Sequence, residues 1–450
     1  MNNQNFLHIE YLSKRYDETK IPLYLSYPTL TCWKNTADEQ NYIENLKNIS
    51  HPFLYFHFPY CKRACYYCAC SKVAGDSPGD IDVYIDHVEK EIELKARYMT
   101  CRDMSLTQMH WGGGTPTNMT IKQLRRIHSA ITKHFTIIPD ESSGISIESY
   151  PDETLIDFEK LMFLKEIGFT EISFGIQDFD ERVQKSINRD CKFKVVEKIV
   201  LNARRAGLRI NVDLCYGLPF QEYSGLQNTI NKIILLKPDR IALESYSHFP
   251  VYYPLQKKIP AASIPNSFMR IILAMMAAEL LIDAGYVKIG DHFVIKEHYM
   301  HKEFKRKKVF RDFMGYSPDV RKELLAFGSS AISYIGDTYV HNTNNIDHYF
   351  SLINDGRLPL DTKVSHKLTG DDKLRAEIIQ KGILTYSYID KGEINDKFNI
   401  NFDIYFEEEI KKLLPLCKDG IVIMDDRGIN IYRYGKYIAK HVALIFDTYY

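Results

Sequence analysis

Along the first half of the chain, apolar and polar positions follow two alternating rhythms. Short runs of β-branched and aromatic residues at Phe53–Phe58, Thr107–Trp111, Gly144–Ser149, Thr170–Ile176, Leu208–Leu214 and Arg240–Ser245 predict strands. Between them, near 81–98, 120–134, 154–167, 193–206 and 222–236, apolar residues recur at helical spacing, and Gly168 and Gly207 fall where such helices end. Strand and helix in strict alternation predict parallel strands joined by helical crossovers. Six such units predict an α/β fold of (β/α) TIM-like barrel type, incomplete, with its functional residues in loops at the C-terminal ends of the strands. Residues 1–50 read as a polar lead-in with a turn at Tyr27-Pro28, and 51–260 as the barrel core. From 261 to 365 the alternation stops and helical runs lengthen, predicting a helical extension that completes the barrel region. Residues 366–450 read as a smaller C-terminal α+β, mostly helical domain with a hairpin around DGIVIMDDRGINIYRYG.

Composition narrows the function classes. The 450 residues carry 58 Lys+Arg against 58 Asp+Glu, and such a balance lacks the basic surface from which non-specific nucleic-acid binding draws its affinity. The 31 Tyr and 24 Phe supply ample apolar area for a folded core. The apolar run from Ile271 to Ile282 falls short of the roughly 20 residues that span a bilayer. The N-terminal MNNQNFLHIEYLSKRYDE lacks the basic-then-apolar character of a signal peptide, so the expected location is cytoplasmic.

Cysteine usage adds chemistry. Of nine cysteines, Cys61, Cys65, Cys68 and Cys70 fall within ten residues, directly after the first strand. Clustering of this kind in a long chain points to metal binding or redox chemistry rather than to a disulfide framework. Zinc is one ligand for such a loop, with Cys70 as a fourth thiolate, although no second CxxC pair is present. A [4Fe-4S] cluster is the better match to C-x3-C-x2-C, because three thiolates hold three irons and leave the fourth open to a small molecule. After the second strand, Trp111-Gly112-Gly113-Gly114-Thr115-Pro116-Thr117 offers backbone that a ligand can approach without Cβ interference. Glu148, Gln177 and Asp213 end the third, fourth and fifth strands, and Arg189 follows the fourth, forming a polar ring on one barrel face.

The cysteine run in YFHFPYCKRACYYCAC resembles the signature of the radical SAM superfamily. Together with SYPT, MHWGGGTPT, ISIE, GIQDF, INR, VDLCYGLP, SAISYIGD and the terminal FDTYY, it resembles the oxygen-independent coproporphyrinogen III oxidase family over nearly the whole chain. The resemblance implies a [4Fe-4S] cluster on Cys61, Cys65 and Cys68. It also implies S-adenosylmethionine (SAM), two molecules in adjacent sites, contacted by Tyr55, Tyr67, Gly113, Gly114, Thr115, Glu148, Gln177, Arg189, Asp213, Ser247 and Ile332. The implied reaction converts two propionates of coproporphyrinogen III to vinyl groups through a 5'-deoxyadenosyl radical, giving protoporphyrinogen IX. A low-potential donor such as flavodoxin or ferredoxin and a monomeric enzyme are implied as well. A substrate with four propionates calls for Arg or Lys forks in the pocket.

The chain departs from the family pattern on the substrate side. Leu23 replaces an Arg before the Ser-Tyr-Pro-Thr segment, and Ser149-Tyr150 replace a small apolar and an acidic or amide residue. Glu244 stands in place of Phe, Met314 in place of Gln, and Tyr67 and Ser247 also differ. Two alternatives therefore stay open. One is a relative using the same radical on another substrate, by methyl transfer, cyclopropane formation or haem degradation. The other is a haem-binding chaperone without turnover, with His57, His110, His248 and His292 as axial ligands.

Overall fold

The computed structural model describes residues 3–17, 21–74, 77–101, 104–318 and 323–450. Six strands form its centre: β1 Phe53–Phe58, β2 Gln108–Gly113, β3 Gly144–Ser149, β4 Glu171–Gln177, β5 Arg209–Tyr216 and β6 Arg240–Ser245. Successive strand side chains point to opposite faces, and one face here is apolar throughout. Leu54 and Phe56, Met109 and Trp111, Ile145 and Ile147, Ile172 and Phe174, Ile210 and Val212, Ile241 and Leu243 are all buried. They share one core with residues of the crossover helices, among them Ile85, Leu124, Leu164, Val196 and Leu226. Fully burying a side chain of this kind contributes about 1.5–3 kcal/mol.

Local signals start those helices. Pro78 opens Pro78–Tyr98 at a position where its missing N–H costs nothing. Thr120 and Gln123 form a reciprocal capping box before Ile121–Thr132. The Asp157 carboxylate accepts from the Lys160 N–H at 2.8 Å ahead of Phe158–Glu166. Gly168 and Gly207 leave their helices with φ of +98° and +80°.

The parallel strands run in the order β6-β5-β4-β3-β2-β1, and Leu324–Phe327 adds a further parallel strand beyond β1. Antiparallel strands continue the sheet at both edges: His292–Val294 and Val287–Ile289 beside β6, and Ile332–Ile335, Thr338–Asn342 and Leu360–Lys367 beyond Leu324–Phe327. Among the described residues the two edges do not pair, so the barrel is partial.

The helical reading of 261–365 needs correction. The segment does contain the helices Ser267–Asp283, Tyr299–Lys305 and Ile346–Asn354, but most of the sheet-edge strands and the hairpin Val309–Asp312/Gly315–Pro318 lie there too. Strands of three to five residues are too short for a period of two to stand out beside the strongly apolar Ser267–Asp283. The polar lead-in also has a packed role. Ile9 and Leu12 of the helix Asn3–Arg15 enter the core of the C-terminal domain beside Ile379, Phe402, Leu413 and Phe446. Tyr24 Oη donates to Asp447 at 2.9 Å and Tyr16 Oη to Asp419 at 2.5 Å, so the two ends of the chain fold as one unit. The expected hairpin is present as Val422–Met424 paired with Gly428–Ile431. Among the described residues no helix is long and apolar enough to cross a membrane.

Candidate active site

Barrels of this type ordinarily fill their interior with branched apolar side chains. Here the inner face is polar. Tyr55 and His57 of β1, His110 of β2, Ser146 and Glu148 of β3, Ser173 of β4, Asn211 and Asp213 of β5, and Glu244 of β6 occupy the positions alternate to the buried apolar ones. Their hydrogen bonds fall into sets: Tyr55 with His57, His110 with Ser146 and Glu148, and Ser173 with Asn211 and Asp213. Tyr55 Oη donates to His57 Nδ1 at 2.9 Å, and the Tyr55 ring stacks on His110 at 6.0 Å. Ser146 and Glu148 fix the two nitrogens of His110 at 2.7 and 3.1 Å.

The cysteine loop leaves the end of β1 and is tied down on every side. His57 Nε2 donates to the Ser71 carbonyl at 3.1 Å, and Ser330 Oγ meets Ser71 Oγ at 2.7 Å. Cys61 Sγ lies 3.5 Å from Thr115 Oγ1, and Cys65 Sγ accepts from Arg189 Nη1 at 3.3 Å. Lys72 Nζ donates to the Cys65 carbonyl at 3.1 Å. Cys61, Cys65, Cys68 and Cys70 are in no disulfide. Burial pushes the Cys61 thiol up to about 11, and the neighbouring Cys68 and Cys65 add to that rise. Cys68 is brought down to about 6, mainly by its hydrogen bond from the Cys70 thiol, with the Lys72 charge assisting; the same contact pushes Cys70 up. Among the described residues no three His, Cys, Asp or Glu side chains converge on one point. The donor set nevertheless suits an anionic iron–sulfur cluster: three free thiols within reach of one another's charge, with Lys72 and Arg189 alongside.

The glycine loop lies against this cluster loop. Gly114 donates to the Phe58 carbonyl at 2.6 Å, and a Cβ there would meet the Tyr60 carbonyl oxygen at 2.5 Å. Gly113 has φ +105°, and its N–H donates to Glu148 Oε2 at 3.2 Å. Glu148 therefore holds the loop in place through one oxygen and His110 through the other.

Arg189 is buried with no carboxylate partner among the described residues. Its guanidinium contacts Cys65 Sγ, Tyr67 Oη at 3.3 Å and the Gly175 carbonyl, and it lies 4.7 Å over the Tyr150 ring, while its Nε has no partner. Asp213 accepts from Ser173 at 2.9 Å and Asn211 at 2.7 Å, and burial together with the Glu148 charge raises its pKa. Among the described residues neither of these two acids forms a salt bridge with a Lys or Arg.

The remaining expected residues group more loosely. Gln256 Nε2 donates to the carbonyls of both Tyr67 and Ser247 at 3.1 Å, joining Ser247 to the cysteine loop through backbone rather than side chain. Gln177 ends β4 with φ +71°, its side chain folded back over Gly175. Ile332 opens a sheet-edge strand two residues after Ser330 and pairs with His341. Among the described residues neither Gln177 nor Ile332 hydrogen-bonds through its side chain to these groups.

A second set of charges lies at the floor and along the β6 edge, and the sequence reading did not anticipate it. Glu171, the first residue of β4, meets His298 at 3.1 Å, Arg209 at 3.7 Å and Arg240 at 3.9 Å. Burial alone would raise its pKa, but His298 and the two arginines hold it down to about 2. Glu244 pairs with Arg311 at 3.1 Å and accepts from His292 Nε2 at 3.2 Å, while Arg240 donates to His292 Nδ1 at 3.0 Å. Arg209, Arg240 and Arg311 thus reach the lumen already bound to acids. Polar residues at every second strand position were the signal for this lining.

Comparison with known proteins places these features in a family. The radical SAM superfamily model matches residues 55–233. The chain is 33% identical over 444 residues to oxygen-independent coproporphyrinogen III oxidase of Pseudomonas aeruginosa, covering 97% of this chain and 95% of that protein. Against the Escherichia coli protein of the same name the identity is 32% over 432 residues, with 95% and 93% covered. The solved structure of coproporphyrinogen III oxidase from Escherichia coli, described as a radical SAM enzyme, superimposes with a TM-score of 0.87 at 31% identity, covering 95% of this chain and 98% of that one. With the polar lumen and the free-thiol loop at its mouth, the chain belongs to the oxygen-independent coproporphyrinogen III oxidase family of the radical SAM superfamily.

Proposed function

We propose that the protein converts propionate side chains of coproporphyrinogen III to vinyl groups without oxygen, giving protoporphyrinogen IX. Each conversion removes one hydrogen atom, one electron and carbon dioxide from a propionate. The cofactors of the family are a [4Fe-4S] cluster and SAM, which when bound supply a carbon radical able to take that hydrogen. Cys61, Cys65 and Cys68 hold the cluster, and Thr115 and Arg189 orient the first two sulfurs. Glu148 keeps the Gly113–Gly114 loop open for a ligand, and with Asp213 offers negative charge to the cationic parts of SAM. Arg189 offers the positive charge for a carboxylate. Tyr55, Tyr67, Gln177, Ser247 and Ile332 complete the contacts, and two SAM molecules occupy the lumen. The substrate is a tetrapyrrole, the electron donor a low-potential protein such as a flavodoxin or ferredoxin, and the enzyme acts as a monomer.

The observation that carries this reading is the set Glu148, Asp213 and Arg189, with no Lys, Arg or carboxylate in salt-bridge contact among the described residues, beside three free thiols at one end of a polar lumen. The departures at Glu244 and Tyr150 fit within it. Glu244 is neutralised by Arg311, and Tyr150 lies under Arg189 where it shields that cation from water. The test is to reconstitute the protein anaerobically, supply SAM, a low-potential reductant and coproporphyrinogen III, and follow products by mass spectrometry. Formation of 5'-deoxyadenosine with the divinyl product is expected. Cleavage of SAM with the porphyrinogen untouched overturns the substrate assignment, and an intact cluster without SAM cleavage overturns the enzyme reading.

A further inference from the structure

The strand register puts Leu243 of β6, Phe293 and Lys288 on the face of the sheet opposite Asp213, Glu244 and His292. Between that outer face, the helix Ser267–Asp283 and the C-terminal domain lies a cavity of about 170 Å³. The sheet itself separates it from the lumen. Its walls include the rings of Tyr216, Phe293 and Tyr437, and Lys288, Lys436 and Lys440 also line it. The Lys288 amine lies 4.6 Å from the centroid of the Tyr437 ring. Among the described residues neither Lys288 nor the exposed Lys436 has an acid partner. Asp291, the one acid lining the cavity among the described residues, is engaged by Arg311 at 3.7 Å. Burial lowers the pKa of Lys288; Asp291 counters this, and the Lys436 charge lowers it further.

Ammonium groups that crowd one another in a part-buried cavity cost free energy unless a counter-charge joins them. The volume is close to the roughly 150 Å³ that holds a benzene-sized molecule, which sets the ligand's size. We infer that this cavity is a binding site for a compact polyanion, of the dimensions of a di- or tricarboxylate or a pyrophosphate, held by Lys288 and Lys436 beside the Tyr437 ring.

Isothermal titration of the cluster-loaded protein with citrate, pyrophosphate, acetate and chloride at matched ionic strength tests this. Saturable binding of citrate or pyrophosphate at one site per chain is expected, with none for acetate or chloride. Citrate the tighter ligand identifies carboxylates as the source of charge, and pyrophosphate the tighter identifies phosphates. Lys288→Gln and the surface variant Lys436→Gln each weaken that binding by about tenfold, the loss of one charge-assisted contact, while SAM cleavage without added anion stays at the wild-type rate. Should Lys288→Gln fail to fold, Lys436→Gln decides. The inference is overturned if neither polyanion saturates, if chloride reproduces the effect, or if affinity is unchanged in the folded variants.

Discussion

The charges over the barrel mouth and those at its floor and β6 edge come from the same strands, yet they are balanced in opposite ways. At the floor and the β6 edge each acid meets a guanidinium: Glu171 has Arg209 and Arg240, and Glu244 has Arg311. At the mouth, among the described residues, no Lys or Arg forms a salt bridge with Glu148 or Asp213 and no carboxylate with Arg189: Glu148 is held by a backbone N–H and His110, Asp213 by a serine and an asparagine, and Arg189 by a tyrosine and a carbonyl. Dipoles fix a charged group in place without cancelling its charge. On the proposed reading the floor is scaffold, and the mouth receives a ligand that brings charges of both signs.

Breaking the mouth should abolish chemistry and spare the fold. Cys61→Ala is expected to remove the cluster's visible absorbance and bound iron and to take SAM cleavage below detection. The unfolding transition should stay close to wild type, because Cys61 is only half-buried beside Thr115. Breaking the floor should do the reverse. Glu171→Gln takes from Arg209 and Arg240 the carboxylate they share, whose side chain is 5% exposed. The expected loss is about 3–5 kcal/mol of stability in urea unfolding, with SAM cleavage retained in whatever protein remains folded. Equal damage to both properties by either variant would erase the distinction.

Much of the mouth was legible in the sequence, because its signals are local. Cys61, Cys65 and Cys68 sit in one loop, Gly112 to Gly114 are adjacent, and Glu148, Gln177 and Asp213 lie at or near the ends of strands that a period of two already locates. The floor was not legible, because its pairs are set by topology. Glu244 and Arg311 are 67 residues apart, and Glu171 and His298 are 127 apart. Glu244 looked like an unexplained departure until the hairpin carrying Arg311 was seen to fold over β6. That hairpin lies in the stretch whose short strands were hidden behind the apolar helix Ser267–Asp283. The packing of Asn3–Arg15 against the C-terminal domain was hidden for the same reason, since contact between the two ends of a chain leaves no periodic trace.

A finer test separates the geometry of the mouth from its chemistry. Gly113→Ala forces a side chain into φ +105° with its Cβ 2.4 Å from the His57 ring. The strain of a left-handed residue, about 1–2 kcal/mol, should fall on the glycine loop. SAM affinity is then expected to drop about tenfold at unchanged iron content, read by titrating SAM into the reconstituted protein.

The smallest effect expected is a pH dependence carried by the β6 edge. His292 is buried between Arg240 and Glu244, and burial brings its pKa down to about 4 from an ordinary value of 6.5. Above 6.5 the imidazole is neutral whether the chain is folded or not, and it contributes no pH dependence. As pH falls through 6.5 the unfolded chain takes up a proton that the folded one refuses until about 4, so stability is lost over that interval. Between about pH 7.5 and about pH 5.5 the loss amounts to about 1.3 kcal/mol. His292→Gln cannot titrate, and its stability relative to wild type should therefore improve by that amount across the same interval. Asp312 works in the opposite sense. Burial raises its carboxyl to about 7, and its Oδ2 has no hydrogen-bond partner. The folded chain therefore gains a proton first on acidification, and Asp312→Asn should fall behind wild type where His292→Gln moves ahead. Urea unfolding of the three proteins at the two pH values measures both differences. Differences of the same sign in the two variants would mean that the edge does not hold one group neutral by excluding a proton and the other by retaining one.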